Sequence, residues 1–277
     1  MIHTQAAGPP ESRRAVTART LKWIAAVTML VDHIGAVLVY GLIMHADSMP
    51  FAFSVSGAIS LYYWMRRIGR VAFPLFALGI VEGFFHTRNR VRYLLRLYLA
   101  ALLSEIPFDL AFNDHVLEAG YQNVCFTFVI ALMALMGFDR VRNSRLPRPA
   151  SVTLVVLIGV AAPVLAELMQ TDYGAAGVVG IELAYAVAVA CEGRSLPRPW
   201  TVPVLQHAVI VAPLLLYGFR SFWCLAGLPF VALYRGARGG KLGAKHLFSK
   251  RLDRWFFYLF YPAHLLILAA LAALFFQ

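Results

Sequence analysis

Charge is scarce in this chain. Only 14% of its 277 residues are Asp, Glu, Lys or Arg, and the acidic ones number 14. An ordinary soluble domain carries about 25% charged residues, so the makings of a water-facing surface are missing. Disorder is excluded as well, because 60% of the residues are hydrophobic and 13% aromatic, whereas disordered chains are poor in both. Cysteine is sparse: Cys125, Cys191 and Cys224 lie singly in apolar runs, with no CxxC pair and no histidine at ligand spacing. That argues against a zinc ribbon or a disulfide framework and leaves no metal site to expect. A Walker loop, a Rossmann fingerprint and an HExxH helix are all absent, and no polar stretch is long enough to hold a soluble catalytic domain. Short-period alternation is lacking too, which argues against a β-barrel.

Long apolar runs take the place of these features. The mean hydropathy is +0.69, and runs of roughly 17 to 25 apolar residues are each long enough to cross about 30 Å of hydrocarbon as a helix. The sequence therefore predicts an all-α integral membrane protein, a polytopic bundle of about nine transmembrane helices. The expected spans are 21–45, 70–86, 93–111, 122–138, 151–170, 174–191, 202–219, 221–234 and 255–275. Phe51 to Trp64 is apolar but short for a span, and is expected to be interfacial or re-entrant. Residues 1–20, with Gly8, Pro9, Pro10 and three arginines, read as a disordered basic tail, leaving 21–277 as a single transmembrane domain. No cleavage-site pattern follows Leu21–Ile43, so that run is expected to remain as a span.

The basic residues orient this arrangement. With nine spans and a cytoplasmic N-terminus, 21 of the 25 Lys and Arg residues fall inside, leaving Arg66, Arg67, Arg70 and Arg220 outside. Promoting 51–64 to a span would invert the later loops and leave most of the charge outside, against the positive-inside rule. The C-terminus is then expected outside. The net charge of +11 is accounted for by loops facing an anionic leaflet, without nucleic acid as a partner.

Polar residues within the spans sort into three expected layers. Lys22, His86, Arg88, Arg92 and Arg96 lie at the inner edge, with the basic stretch 235–254 on the same side. Asp32, His33 and His264 lie midway, with Glu82 about a turn from the inner edge. Arg70, Glu105, Asp109, Asn123 and Asp172 lie toward the outer edge. Lys22 and His33, eleven residues apart, share one helix face. Glu82 and His86 are an i, i+4 pair, as are Glu105 and Asp109, which flank Pro107; Tyr261 and His264 stand at i, i+3. Ionisable groups at bilayer depth are costly and mark pathways or chemistry, which makes His33 the leading candidate for a functional side chain. Glu82, Arg96 and Glu105 have a plainer reading as charges that fix helix packing.

The segments LKWIAAVTMLVDHIG (21–35), GRVAFPLFALGIVEGFFHTRNR (69–90), YLLRLYLAALLSEIPFDLAF (93–112), QNVCFT (122–127), DYGAAGV (172–178) and FYLFYPAHLLIL (257–268) resemble those of the TraX family. The namesake of that family acetylates the N-terminal amine of conjugative pilin at the inner membrane. The resemblance implies a multi-pass acetyltransferase of the bacterial inner membrane that uses cytosolic acetyl-CoA and carries an acetyl group to an acceptor at the other face. The family looks related to a wider group of transmembrane acyltransferases. These tend to carry a basic residue ten intervening positions before a first-helix histidine, matched here by Lys22 and His33.

On this reading acetyl-CoA is the donor substrate, with its phosphates at Lys22, His86, Arg88, Arg92, Arg96 and the basic stretch containing Lys241 and Lys245. His33 acts as general base or nucleophile. Adjacent helix residues point about 100° apart, so Glu82 is expected to orient His33 in preference to Asp32. Tyr261, His264 or Asn123 would stabilise the oxyanion. Arg70, Glu105, Asp109, Asn123 and Asp172 would receive the acceptor, a pilin-like amine or a glycan or lipid hydroxyl. Two other classes remain open: a proton-coupled transporter using the same ionisable residues as a relay, and a non-catalytic subunit of a pilus or secretion assembly.

Overall fold

The computed structural model describes residues 16–48, 53–113, 116, 118, 120–194, 198, 200–217, 222–234 and 246–276, with side chains omitted for 246–255. The described residues are helical apart from turns, short links and two isolated bridges. In chain order the helices are α1 (Ala18–Ile34), α2 (Tyr40–Met44), α3 (Val55–Gly69), α4 (Ala72–His86), α5 (Arg90–Phe112), α6 (Val124–Arg142), α7 (Arg148–Leu168), α8 (Gly174–Cys191), α9 (Thr201–Tyr217), α10 (Leu228–Ala232) and α11 (His246–Phe276). A π-helical turn, Gly35–Val39, joins α1 to α2 without a break. A 3-10 segment, Phe222–Gly227, leads into α10.

Six described stretches are long and apolar enough to cross a membrane: Ala18–Met44, Val55–His86, Val124–Arg142, Arg148–Leu168, Gly174–Cys191 and Phe256–Phe276. Thr201–Tyr217 and Phe222–Ala232 are shorter apolar helical stretches. At 23 residues α5 is long enough, but it carries Arg96, Glu105 and Asp109. The molecule is a multi-pass, all-helical membrane protein. Its interior is built from Leu78 and Phe84 of α4, Leu132 and Leu135 of α6, Ile181 of α8 and Ile210 and Leu214 of α9, all essentially inaccessible. In contrast, α7 presents Val156, Leu157 and Val160 outward, each more than half exposed, as expected of a helix facing lipid.

Two rods form an antiparallel hairpin whose register can be read from glycines. A Cβ on Gly35 would lie 2.8 Å from Cβ of Met65, one on Gly69 would collide with Oδ1 of Asp32, and one on Gly79 would lie 4.0 Å from Cε of Lys22. The paired numbers sum to 100 or 101 each time, so α1–α2 runs beside α3–α4 in one fixed alignment. This corrects the expectation for 51–64. The apolar stretch is neither interfacial nor re-entrant. Its described part belongs to α3, which is separated from α4 only by Arg70 and Val71. The arginines that made the sequence look interrupted are accommodated: Arg66 pairs with Asp32 at 2.5 Å, and Arg67 lies over the Trp64 ring at 5.0 Å.

The expected tail is corrected in its last residues. Val16 bridges to Tyr234, and the Thr17 hydroxyl accepts from the backbone N–H of Thr20, capping α1. Such a cap contributes about 1 kcal/mol. Residues 1–15, Arg220 and Lys241 and Lys245 of the basic stretch lie outside the described residues.

The helices do not all reach the same height. The Phe112 ring at the end of α5 meets His33 edge-on at 5.4 Å. Tyr173, just before α8, stacks at 3.8 Å on Phe73, four residues past Gly69. Beyond this level α1–α2 continues eleven residues to Met44, and its far end meets α11, where His45 stacks on Phe276 at 5.4 Å. At a rise of about 1.5 Å per residue, α1–α2, α3 and α11 stand roughly 16 Å above the ends of α5, α6 and α8.

Candidate functional site

The foot of that step holds the polar cluster. Nδ1 of His33 lies 2.7 Å from Nε2 of His264, and the two rings are within 7° of parallel. Nδ1 of His264 lies 2.6 Å from the Phe260 carbonyl one turn back on α11. A carbonyl only accepts, so His264 carries its proton on Nδ1 and, as a neutral ring, accepts at Nε2. His33 must then donate from Nδ1, which leaves its Nε2 as a bare lone pair. Tyr261 completes the group, its ring 6.1 Å from His33 and 5.7 Å from His264.

Aromatic girdles give the depth. Tyr40 packs on Tyr62 and Trp64 on Trp223, while Trp23 packs on Phe256 toward the opposite end. Tyr and Trp concentrate at membrane interfaces. By helical rise His33 lies about 10 Å below Tyr40 and about 15 Å above Trp23.

Around the histidines the structure merges two of the three expected layers. Asp32 pairs with Arg66 and lies within electrostatic reach of Arg70 and Asp172. Arg70 interacts with Tyr173 as well as with both aspartates. The Asp172 carboxylate accepts from the Tyr121 hydroxyl at 2.9 Å, and burial pushes its carboxyl up from the usual range. Glu105 accepts from the Asn123 side chain and is within electrostatic reach of Tyr261. Arg70, Glu105, Asn123 and Asp172 therefore belong to the His33 level, not to a separate outer layer. The reason is the step: the links after α5 and before α8 end at this height.

Two of the expected acceptor-binding residues are engaged within the fold. The Asn123 amide donates to the Ala101 carbonyl and to Glu105, and its oxygen accepts from the Cys125 N–H, capping α6. Both amide hydrogens are thus committed, and an oxyanion role for Asn123 is not met by the geometry. Asp109 is fully buried and accepts from the Glu118 N–H at 2.8 Å and the Asn113 amide at 3.2 Å, tying down the link after α5.

The expected pairing of Glu82 with His33 is likewise corrected. Glu82 accepts from the Tyr234 hydroxyl and lies within a turn of Gly79, which neighbours Lys22. Lys22 is eleven residues from His33, so Glu82 is roughly 16 Å or more away along the hairpin. The 100° between the neighbours Asp32 and His33 pointed to a carboxylate from a second helix, but the antiparallel register carries Glu82 past His33. His264, from the other end of the chain, takes the place assigned to Glu82.

The basic end forms a second group. Lys22 lies 6.0 Å over the Phe257 ring, and Nδ1 of His86 is 2.8 Å from the Glu82 carbonyl. His86, Arg88 and Arg92 are exposed, and the Arg96 Nε–H is buried with no hydrogen-bond partner among the described residues. No group of three or more His, Cys, Asp or Glu residues suited to a metal ion occurs among the described residues.

Sequence reasoning missed Arg66, Tyr121 and Tyr173 as members of the cluster. Arg66 and Arg70 stand at i, i+4, a legible signal that was assigned to loop charge. Tyr173 has φ +68°, as Gln170 has φ +51°. Left-handed backbone costs a non-glycine residue about 1–2 kcal/mol and gathers at functional sites. It holds Tyr173 on Phe73 and leaves the Asp172 carbonyl accepting from the Thr127 hydroxyl.

The family described as TraX protein matches residues 17–272, nearly the whole chain and all of the cluster just described. The chain belongs to the TraX family. It is also 30% identical over 232 residues to the probable fimbrial assembly protein FimC, serogroup H1, of Dichelobacter nodosus, covering 76% of this chain and 83% of that protein. No solved structure matches. In this TraX chain the matched region includes His33 and His264, which lie 231 residues apart in sequence.

Proposed function

We propose that this protein is an acetyltransferase of the bacterial inner membrane, passing an acetyl group from cytosolic acetyl-CoA to an acceptor at the outer face. The pilus-related name of the relative favours the N-terminal amine of a pilin-type protein as that acceptor. In this reading the chain crosses the membrane nine times, with the N-terminus cytoplasmic and the C-terminus outside. The observation that carries the proposal is the His33–His264 pair, which leaves a fixed, unprotonated Nε2 at the foot of the step, flanked by Tyr261, Asp32 and Arg66.

Coenzyme A phosphates rest at the basic end, on Lys22, His86, Arg88, Arg92 and Arg96. The thioester arm then spans the roughly 16 Å of helical rise from Lys22 to His33. The acceptor amine must be neutral to attack, and an α-amine has a pKa of about 7.7 to 8.0. As its nitrogen bonds to the thioester carbonyl carbon, His33 Nε2 takes the amine proton. His264 stabilises the resulting imidazolium through the Nδ1 hydrogen bond. The Tyr261 hydroxyl donates to the oxyanion. Collapse breaks the C–S bond, and the imidazolium returns its proton to the departing thiolate, so the site ends as it began. Glu105 and Asp172 attract the acceptor as a cation, which gives its extra proton to water before the neutral amine attacks.

Radiolabelled acetyl-CoA, incubated with purified protein in nanodiscs and a panel of amine and hydroxyl acceptors, tests this directly. Acceptor labelling by wild type and none by folded His33→Ala is the expected result. Protein that neither binds nor cleaves acetyl-CoA, while pilus assembly still depends on it, overturns the enzyme reading. The relative's name would then favour a non-catalytic assembly subunit.

A further inference from the structure

Away from the histidine cluster, a cavity of about 460 Å³ opens between α6 and α7 at the basic end of the bundle. Its walls are graded. Arg142, Ser144 and Arg148 stand at the rim, and Phe138, Val152 and Val155 line the part nearer the membrane centre. On α7 the residues 148, 152 and 155 follow at i, i+4 and i+7, one stripe of a helix face that covers about 10 Å of rise. Val152 and Val155 are 56% and 41% exposed, so the apolar stretch faces the lipid side and not the bundle interior. The first turn of α7 adds backbone N–H groups without a side-chain cap, a favourable setting for an anion.

A ligand matching this grading has a phosphate at one end and a hydrocarbon chain at the other, aligned with the helices. That is the polarity of a phospholipid in one leaflet. We propose that the α6–α7 cleft is a binding site for an anionic phospholipid, its phosphate held by Arg142 and Arg148 and one acyl chain lying along Val152 and Val155. Coenzyme A carries phosphates too, but its arm is rich in amides and would leave the valine stripe unmatched. Arg148 has no acidic partner among the described residues, whereas Arg142 pairs with Glu192 at 2.5 Å. The site is therefore partly restrained by its own carboxylate.

The test is native mass spectrometry of the full chain released from detergent, titrated with phosphatidylglycerol, phosphatidylcholine or coenzyme A. Phosphatidylglycerol should be retained roughly tenfold or more over phosphatidylcholine, and Arg142→Ala and Arg148→Ala should each weaken it about fivefold. Glu192→Gln should tighten it, an effect that damage to the fold would not produce. Val155→Trp should fill the apolar part and reduce lipid retention with both arginines intact. Equal retention of the two lipids overturns the proposal, as does indifference to both arginine variants. Displacement of phosphatidylglycerol by coenzyme A assigns the cleft to the nucleotide and overturns it equally.

Discussion

Around His33 polar groups are answered from distant parts of the chain: Asp32 by Arg66, Asp172 by Tyr121, Glu105 by Asn123, His33 by His264. At the basic end His86, Arg88 and Arg92 are exposed, and the ion pairs seen there among the described residues, Arg90 with Asp139 and Arg142 with Glu192, involve other arginines. Depth accounts for the difference. A charge at mid-membrane must find a partner or neutralise, while one at the interface stays hydrated and within reach of an anion. The first region is fixed geometry suited to proton movement, and the second is a field suited to holding phosphates.

The largest expected effect comes from removing the imidazole lone pair that His33 offers in the inner cluster. His33→Ala should lower acetyl transfer by about 10³-fold, within the usual range for loss of a general base, with coenzyme A binding by calorimetry unchanged. His264→Ala should lower kcat by about 10²-fold, because the tautomer of His33 is no longer fixed. His264→Gln, which still offers an acceptor, should recover part of that loss. Arg66→Ala breaks the comparison from the structural side by stranding the Asp32 carboxylate. A fully buried pair loses 3–5 kcal/mol on such truncation, and this one is partly solvated, so about 2 kcal/mol is expected from denaturant unfolding in detergent. Asp32→Asn in the same chain should restore most of it. At the basic end Arg88→Ala or Arg92→Ala should leave unfolding within about 0.5 kcal/mol of wild type and raise the KM for acetyl-CoA several-fold at constant kcat. If these arginine variants unfolded the protein, the contrast between the two layers would fail.

Much of this contrast was legible in the sequence. The apolar runs gave the class and most helix positions, because a membrane helix must satisfy its backbone internally over about 20 residues. Asp32 and His33 stood out against the run that holds them, and His264 against its own. What could not be read was who faces whom. Glu82 looked a suitable partner for His33 because depth was counted helix by helix, without the register that sets Asp32 opposite Gly69. Asn123 and Asp109 were read as groups awaiting a ligand, because sequence does not reveal that backbone N–H and C=O groups already take up their hydrogen bonds. Phe51 to Trp64 looked short for a span because Arg66 and Arg67 follow it, while their partners Asp32 and Trp64 become visible only in space.

The hairpin alignment bears on how such chains tolerate insertions. Residues added between Met44 and Val55 lengthen a connection and leave every pairing across the rods untouched. One residue added between Arg66 and Gly69 would turn Arg66 by about 100° about its axis, carrying the guanidinium off Asp32 while Gly69 stayed in place. Variation in length is therefore affordable at the tip of this hairpin and forbidden at its waist, where one missing side chain sets the separation of two helices.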